Sequence, residues 1–394
     1  MTVNETPVLP GLTPLRGIAA ILVAMLHYEL VITPLWPEAF APVSGKLYLM
    51  VDLFFVLSGF VLYHVYGRRF ERRIKPREAV RYLRAKFARV YPLHAATLFA
   101  LLCVAIFAAP QGDLANKAPY AVFRWETLPL QLIMLHGTWA AEDAYWNTPS
   151  WSISVEWWAY CAFPFLALAM SRCKLLARIF LALAIASMYV WISEVLQPSF
   201  WAARWDRFGI DPAAVPYPTG VVDVVAGPAP LRGLAAFALG MLAYWFYTLK
   251  LAHAFLKSAF VFLSCWALLI GGWALGVLYD PFAILIMAVM ILATASNDDW
   301  LKPLLNARPM KFLGDISYSI YLIHMPILFA TIVVQDRVAA FSIGKRSPGV
   351  YGFSAEPLLA WCGFGLFLAV ILVASSFVYV RFERPMRKAL GPST

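Results

Sequence analysis

About ten apolar stretches, each near the twenty residues a helix needs to cross a bilayer, run through this 394-residue chain. They lie near 13–32, 48–66, 90–109, 150–170, 179–197, 229–248, 259–278, 281–297, 313–334 and 358–380. In hydrocarbon the backbone must satisfy its own hydrogen bonds, and a single apolar run of this length does so as a helix. The expected fold class is therefore all-α: a polytopic integral membrane protein with about ten transmembrane helices. A composition of 62% hydrophobic and 14% charged residues agrees, because a soluble chain carries roughly a quarter charged residues. The segment "LPLQLIMLHGTW" (128–139) is too short to cross and reads as a re-entrant or interfacial piece. The first apolar run leads into further spans, so no cleavable signal peptide is expected. No separate soluble domain, repeat or low-complexity tail breaks the pattern, and a single domain over 1–394, with its core at about 12–388, is expected.

The loop after the second stretch, "GRRFERRIKPREAVRYLRAKFAR", holds ten Lys or Arg against two Glu and is expected to be cytoplasmic. An even number of spans then places both termini in the cytoplasm. The stretches "SRCKLLAR", "LKPLLNARPMK" and "RFERPMRK" are also basic and fall on the same side. The opposite loops (33–47, 110–127, 198–228, 335–357) are richer in Pro and Gly, although "GKRS" at 344–347 sets two basic residues there. The net charge of +10 is thus accounted for by topology, and nucleic acid is excluded as a partner. Membrane lipid is the partner of the apolar surface. Five scattered cysteines (Cys103, Cys161, Cys173, Cys265, Cys362) show no CxxC or His/Cys ligand spacing, so neither disulfides nor a metal site are expected.

The polar groups inside these stretches carry the functional reading, since an ionisable residue in hydrocarbon is costly. "RGIAAILVAMLH" puts Arg16 and His27 eleven positions apart, close to three helical turns, so both share one face about 16 Å apart along the axis. His27, deeper in the bilayer, can accept and return a proton as a general base, or simply hydrogen-bond a neighbouring helix. In "VDLFFVLSGFVLY", Asp52 lies at the outer end and Ser58-Gly59 mid-span; no base flanks Ser58 at helical spacing, which favours close helix packing over nucleophilic chemistry. Glu156 in "WNTPSWSISVEWWAY" must be paired or protonated, either as the partner of a base or as a structural hydrogen bond. "FLGDISYSIYLIHMPI" sets Ser317, Tyr321 and His324 along one helix face, which can line a polar cavity or join helices. Lys86 and Arg89 in "KFARVYP" align at the mouth of the third span, where they suit phosphate groups or anionic lipid.

Taken together, these stretches resemble the membrane-bound acyltransferase-3 family over roughly residues 12–388. The resemblance rests on six stretches in the family's order: "LRGIAAILVAMLH", "VDLFFVLSGFVLY", "KFARVYPLH", "PSWSISVEWWAY", "FLGDISYSIYLIHMPI" and "RFERPMRK". It implies transfer of an acyl group, most often acetyl, from cytoplasmic acyl-CoA to a hydroxyl of an exported glycan or lipid-linked sugar, at the bacterial cytoplasmic membrane. The family's essential histidine falls on His27 and its accompanying basic position on Arg16. The basic-x-x-basic motif falls on Lys86 and Arg89, with lysine first; the acidic position falls on Glu156, and the late motif on Tyr321 and His324. Many relatives carry an additional hydrolase-like domain, and this chain resembles the stand-alone members.

The implied catalytic pair is His27 and Glu156. The implied acyl-CoA- and substrate-binding set is Arg16, Lys86, Arg89, Tyr321 and His324, with Ser58 and Asp52 from the second span. His27 would take the proton of the acceptor hydroxyl while Glu156 or another buried acid holds the imidazole in its tautomer; an acyl-histidine intermediate is the competing route. Acetyl-CoA is expected as co-substrate, with no permanently bound cofactor and no metal. Nothing in the sequence bears on the oligomeric state. The alternative class, a transporter or flippase of a glycan or lipid-linked sugar, would use the same buried polar groups, but the inverted symmetry common in transporters is not found.

Overall fold

The computed structural model describes residues 9, 11–107, 120–208, 211, 220–337 and 356–392, and no strand occurs among them. The longer helices are α1 (Leu12–Val31), α2 (Met50–Phe70), α3 (Pro76–Phe107), α4 (Trp151–Arg172), α5 (Leu175–Trp191), α6 (Ala229–Leu249), α7 (Ala259–Ala274), α8 (Asp280–Ser296), α9 (Ser317–Arg337) and α10 (Pro357–Val378). Large apolar side chains such as Phe99, Phe165, Phe180, Leu366, Val373 and Phe377 point outward. In water that surface would be unfavourable, whereas against lipid tails it has no cost. The chain is an all-α polytopic integral membrane protein.

Each apolar stretch is helical, with differences that have local causes. Among the described residues eight helical stretches are long and apolar enough to cross a membrane. The remaining two, α7 and α8, have 16 and 17 residues; α7 is shorter than the run expected for it at 259–278, whereas α8 is as long as the expected 281–297. Helix α3 begins at Pro76 rather than near 90, because proline is favoured at a first helical position and its fixed φ starts the helix inside the basic segment. Lys86 and Arg89 are therefore helical. A separate helix, Arg308–Asp315, precedes α9, and α5 continues through a π turn at Ile192–Leu196 into Gln197–Phe208. The short stretch at 128–139 is helical only over Leu128–Leu132 and then turns, with Met134 at φ +59°. Much of the outer stretches 110–127, 198–228 and 335–357, including "GKRS", lies outside the described residues.

The centre of the bundle is built where backbones approach closely, which is how helices associate without a hydrophobic drive between them. The most extensive contact joins α2 to α6. A Cβ on Gly59 would lie 2.0 Å from the Phe237 carbonyl oxygen, and one on Gly240 would lie 2.0 Å from that of Val56. A second close crossing seats α1 on Arg308–Asp315, where a Cβ on Gly314 would lie 2.1 Å from the Thr13 carbonyl oxygen. Replacing Gly240 with valine must force α2 and α6 apart, at a cost of about 3 kcal/mol. Thermal unfolding of the purified variant in detergent should show a lowered midpoint, and an unchanged midpoint would refute this crossing.

Candidate active site

Helices α1, α2, α3, α4 and α9 surround a small cavity of about 50 Å³ lined by Arg16, Ser58, Arg89, Ser152, Glu156, Ser317, Tyr318 and Tyr321, among others. Its acid is internally engaged: Glu156 Oε1 accepts hydrogen bonds from Ser58 Oγ and from the Tyr160 hydroxyl, both at 2.5 Å. Ser317 Oγ donates to the Gly314 carbonyl. No hydrogen bond or ion pair to the guanidinium of Arg16 or Arg89 occurs among the described residues. Two cations and one already hydrogen-bonded carboxylate leave a cavity whose unmet demand is for an anion.

Tyr321 and Val51 also line a larger cavity of about 440 Å³, which contains His27. The two spaces therefore meet at these side chains. The Tyr321 hydroxyl donates to the Pro149 carbonyl at 2.9 Å and lies 2.7 Å from Ser152 Oγ. His27 Nδ1 lies 2.9 Å from the Val23 carbonyl, one turn earlier on α1, and 3.4 Å from Nε2 of His324. His324 Nδ1 lies 3.2 Å from the Ile320 carbonyl. A carbonyl only accepts, so Nδ1 carries the hydrogen in both rings, and the tautomers assigned by this network follow. His324 Nε2 then presents a lone pair to the His27 Nδ1–H, and His27 Nε2 keeps its own lone pair. That is the arrangement of a base oriented by a second group.

Most motif residues are brought together, but four take up places other than the expected ones, among them His324, which lines neither cavity and faces His27 instead. Glu156 or another buried acid was expected to hold the His27 imidazole; the hydrogen bonds of Glu156 go instead to Ser58 and Tyr160, and the groups at His27 Nδ1 are the Val23 carbonyl and His324. Lys86 does not line the small cavity with Arg89. It is buried, and its ammonium sits 4.6 Å, 5.6 Å and 5.3 Å from the ring centroids of Tyr66, Tyr82 and Tyr160. On a helix, three residues' separation turns side chains by about 300°, enough for one to reach the cavity and the other the tyrosine cage. Asp52 is fully buried against Arg232 of α6, with Asp52 Oδ2 2.7 Å from Arg232 Nη2. It is an ion-pair partner and does not face either cavity.

Sequence reasoning missed Arg232. Its guanidinium donates to Asp52, to Asp223 Oδ1 at 3.4 Å and to the Val224 carbonyl, and it lines the larger cavity beside Tyr48 and Trp151. The signal was present: "PLRG" occurs at 14–17 and again at 230–233, each opening an apolar run, and the cost argument applied to Arg16 applies equally to Arg232. Asp143, Trp201, Arg204 and Asp223 also line this cavity. Asp143 and Asp223 lie in loops, and Trp201 and Arg204 lie within the helix Gln197–Phe208, a stretch expected to be part of the outer loop 198–228. Among the described residues no group of three or more His, Cys, Asp or Glu is placed to hold a metal ion.

The sequence model described as "Acyltransferase domain", that of the acyltransferase-3 family, matches residues 9–380. The chain belongs to the acyltransferase-3 family. Within the family's span the acyltransferase MdmB of Streptomyces mycarofaciens is 25% identical over 97% of this chain and 92% of its own length. The peptidoglycan O-acetyltransferase OatA of Listeria monocytogenes is 24% identical over 83% of this chain and 50% of its own length. A protein named "Protein 2 in picA locus" from Rhizobium radiobacter is 41% identical over 85 residues, which are 21% of this chain and 39% of that protein. The chain thus spans half or less of the length of two of these relatives. No solved structure matches.

Proposed function

We propose that this chain is an acyl-CoA-dependent O-acyltransferase of the bacterial cytoplasmic membrane, transferring acetyl to a hydroxyl of an exported or lipid-linked glycan. The observation that carries the reading is the pair of unpaired guanidiniums, Arg16 and Arg89, in a cavity that meets the His27 cavity at Tyr321 and Val51. Arg89 belongs to the basic segment, so this end is the cytoplasmic one, and the donor's phosphates lie against Arg16 and Arg89. The thioester reaches past Tyr321 to His27. The acceptor enters the larger cavity, where the Asp223 carboxylate, 25% exposed, can accept from its hydroxyls and Trp201 offers a ring face.

His27 Nε2 removes the hydroxyl proton as the oxygen attacks the thioester carbonyl. The imidazolium so formed is stabilised through Nδ1–H by the Val23 carbonyl and His324 Nε2. Collapse of the tetrahedral intermediate breaks the C–S bond, and the thiolate takes the proton back from His27. The products are the acyl ester and free CoA.

Acetyl-CoA binding to purified protein in detergent, with CoA as competitor, tests the donor site. Binding should be saturable, and Arg16→Ala and Arg89→Ala should each weaken it about tenfold, the scale of one charge-assisted hydrogen bond. Folded protein that binds neither acetyl-CoA, other acyl-CoAs nor CoA would overturn the proposal and favour a passage for substrate between the two cavities.

A further inference from the structure

Helix α9 contains Pro326, two residues after His324. Proline lacks the N–H that would have bonded the carbonyl four residues earlier, so the Leu322 carbonyl loses its helical partner in the interior of the bundle. In a membrane protein such a freed group has to be satisfied by a neighbour. Asn147 does so: its Nδ2 donates to the Leu322 carbonyl at 3.0 Å. The same nitrogen donates to Thr97 Oγ1 at 3.3 Å, while the Thr97 hydrogen is directed to the carbonyls of Leu93 and His94. Both Nδ2 contacts are thus with acceptors, which fixes the orientation of the amide.

We propose that Asn147 is a positioning residue: its side-chain amide replaces the N–H that Pro326 lacks and thereby fixes His324 against His27. The inference rests on His27 acting as the base of the transfer proposed above. Asn147 is fully buried and is delivered by a segment that is itself tied down. Trp146, fully buried, adopts φ +60°, a left-handed conformation that a tryptophan holds only when its surroundings demand it. Its N–H donates to the Val122 carbonyl at 2.9 Å. Three residues on, the Pro149 carbonyl accepts from Tyr321, the residue preceding Leu322. Two consecutive residues of α9 are therefore gripped by one segment, and His324 lies two positions further on. Rotation of α9 about its axis would withdraw His324 Nε2 from the 3.4 Å contact with His27 Nδ1. The imidazole would then lose one of the two acceptors that favour its Nδ1–H tautomer and keep only the Val23 carbonyl.

The test uses the full chain with Asn147→Leu, which keeps the volume and removes the donor, Pro326→Ala, which restores a backbone N–H to Leu322, and the double variant. Transfer of radiolabelled acetyl from acetyl-CoA is followed in inverted membrane vesicles, and 15N imidazole spectra of the purified proteins report the His27 tautomer. Asn147→Leu should lower kcat up to about 10²-fold, the cost typical of a small misplacement of a reacting group. It should leave KM for acetyl-CoA unchanged and reduce the share of the Nδ1–H signature, the Val23 carbonyl alone then favouring that tautomer. Pro326→Ala alone should remain active, and in the double variant it should recover most of both losses. Should Asn147→Leu not fold, Asn147→Ala makes the same test with a smaller side chain. Unchanged kcat and spectrum in Asn147→Leu, a double variant as impaired as the single one, or inactivity of folded Pro326→Ala would each overturn the proposal. A wild-type protein that transfers no acetyl would instead remove the catalytic reading, while the imidazole spectra would still decide the role of Asn147.

Discussion

His27→Ala should lower acyl transfer by at least about 10²-fold, within the range supplied by a general base, while the protein still folds. His27 is only partly buried and lines a cavity, so its removal creates little new void in a packed core. The energetic loss is confined to the network around it. His324 Nε2 would lose the donor it now faces, a buried acceptor left unmet at a cost of about 1–3 kcal/mol. That cost falls on the stability of the fold, whereas the loss of the base falls on the transfer step. The decisive measurement is acetyl transfer in membrane vesicles, with detergent-purified His27→Ala shown monodisperse and of near-native thermal midpoint. Full turnover in the folded variant would end the proposed mechanism. His324→Ala should impair transfer about as much as Asn147→Leu, since each removes His324 Nε2 from His27 Nδ1 and leaves the Val23 carbonyl as its acceptor.

The largest expected effect on stability belongs to the pair of Arg232 and Asp52. Both side chains are fully buried, and the guanidinium uses Nε and Nη2 on Asp52 while Nη1 reaches Asp223 and the Val224 carbonyl. Arg232→Met would strand the Asp52 carboxylate inside the bundle. Removing one partner of a buried pair costs about 3–5 kcal/mol, a large share of the roughly 5–15 kcal/mol that holds a typical domain folded. The variant should therefore unfold at markedly lower temperature or fail to accumulate. Arg232→Lys should not rescue it, because a single ammonium cannot reproduce the guanidinium's fork of donors. Arg232→Met/Asp52→Leu should recover much of the loss, since the burial of an uncompensated charge is then removed on both sides. A thermal midpoint for Arg232→Met equal to that of the wild type would show that the pair carries no such energy.

The polar residues behave differently from the spans that carry them. Arg16 and His27 could be placed on one face of one helix because their spacing alone sets it, and both line the paired cavities. Gly59 could be read as a close-packing residue because small side chains in hydrocarbon have few other uses, and its crossing with α6 is as close as that reading requires. The partner of each charge could not be read in this way. Glu156 met Ser58 and Tyr160 rather than His27, Lys86 met tyrosine rings rather than the cavity, and Asp52 met an arginine 180 residues distant.

The bilayer requirement acts on every twenty-residue stretch separately, so the all-helical, multiply spanning architecture and the helix faces bearing Arg16, His27, Glu156 and Tyr321 were legible in the sequence by itself. Pairing between helices obeys no such local rule. Which acid neutralises which cation, that His324 rather than Glu156 orients His27, and that Asn147 serves the carbonyl freed by Pro326 from 175 positions away were decided by tertiary packing. A buried polar group takes whichever partner the close crossings at Gly59, Gly240 and Gly314 bring within hydrogen-bonding distance, and those crossings exist only once the helices have assembled.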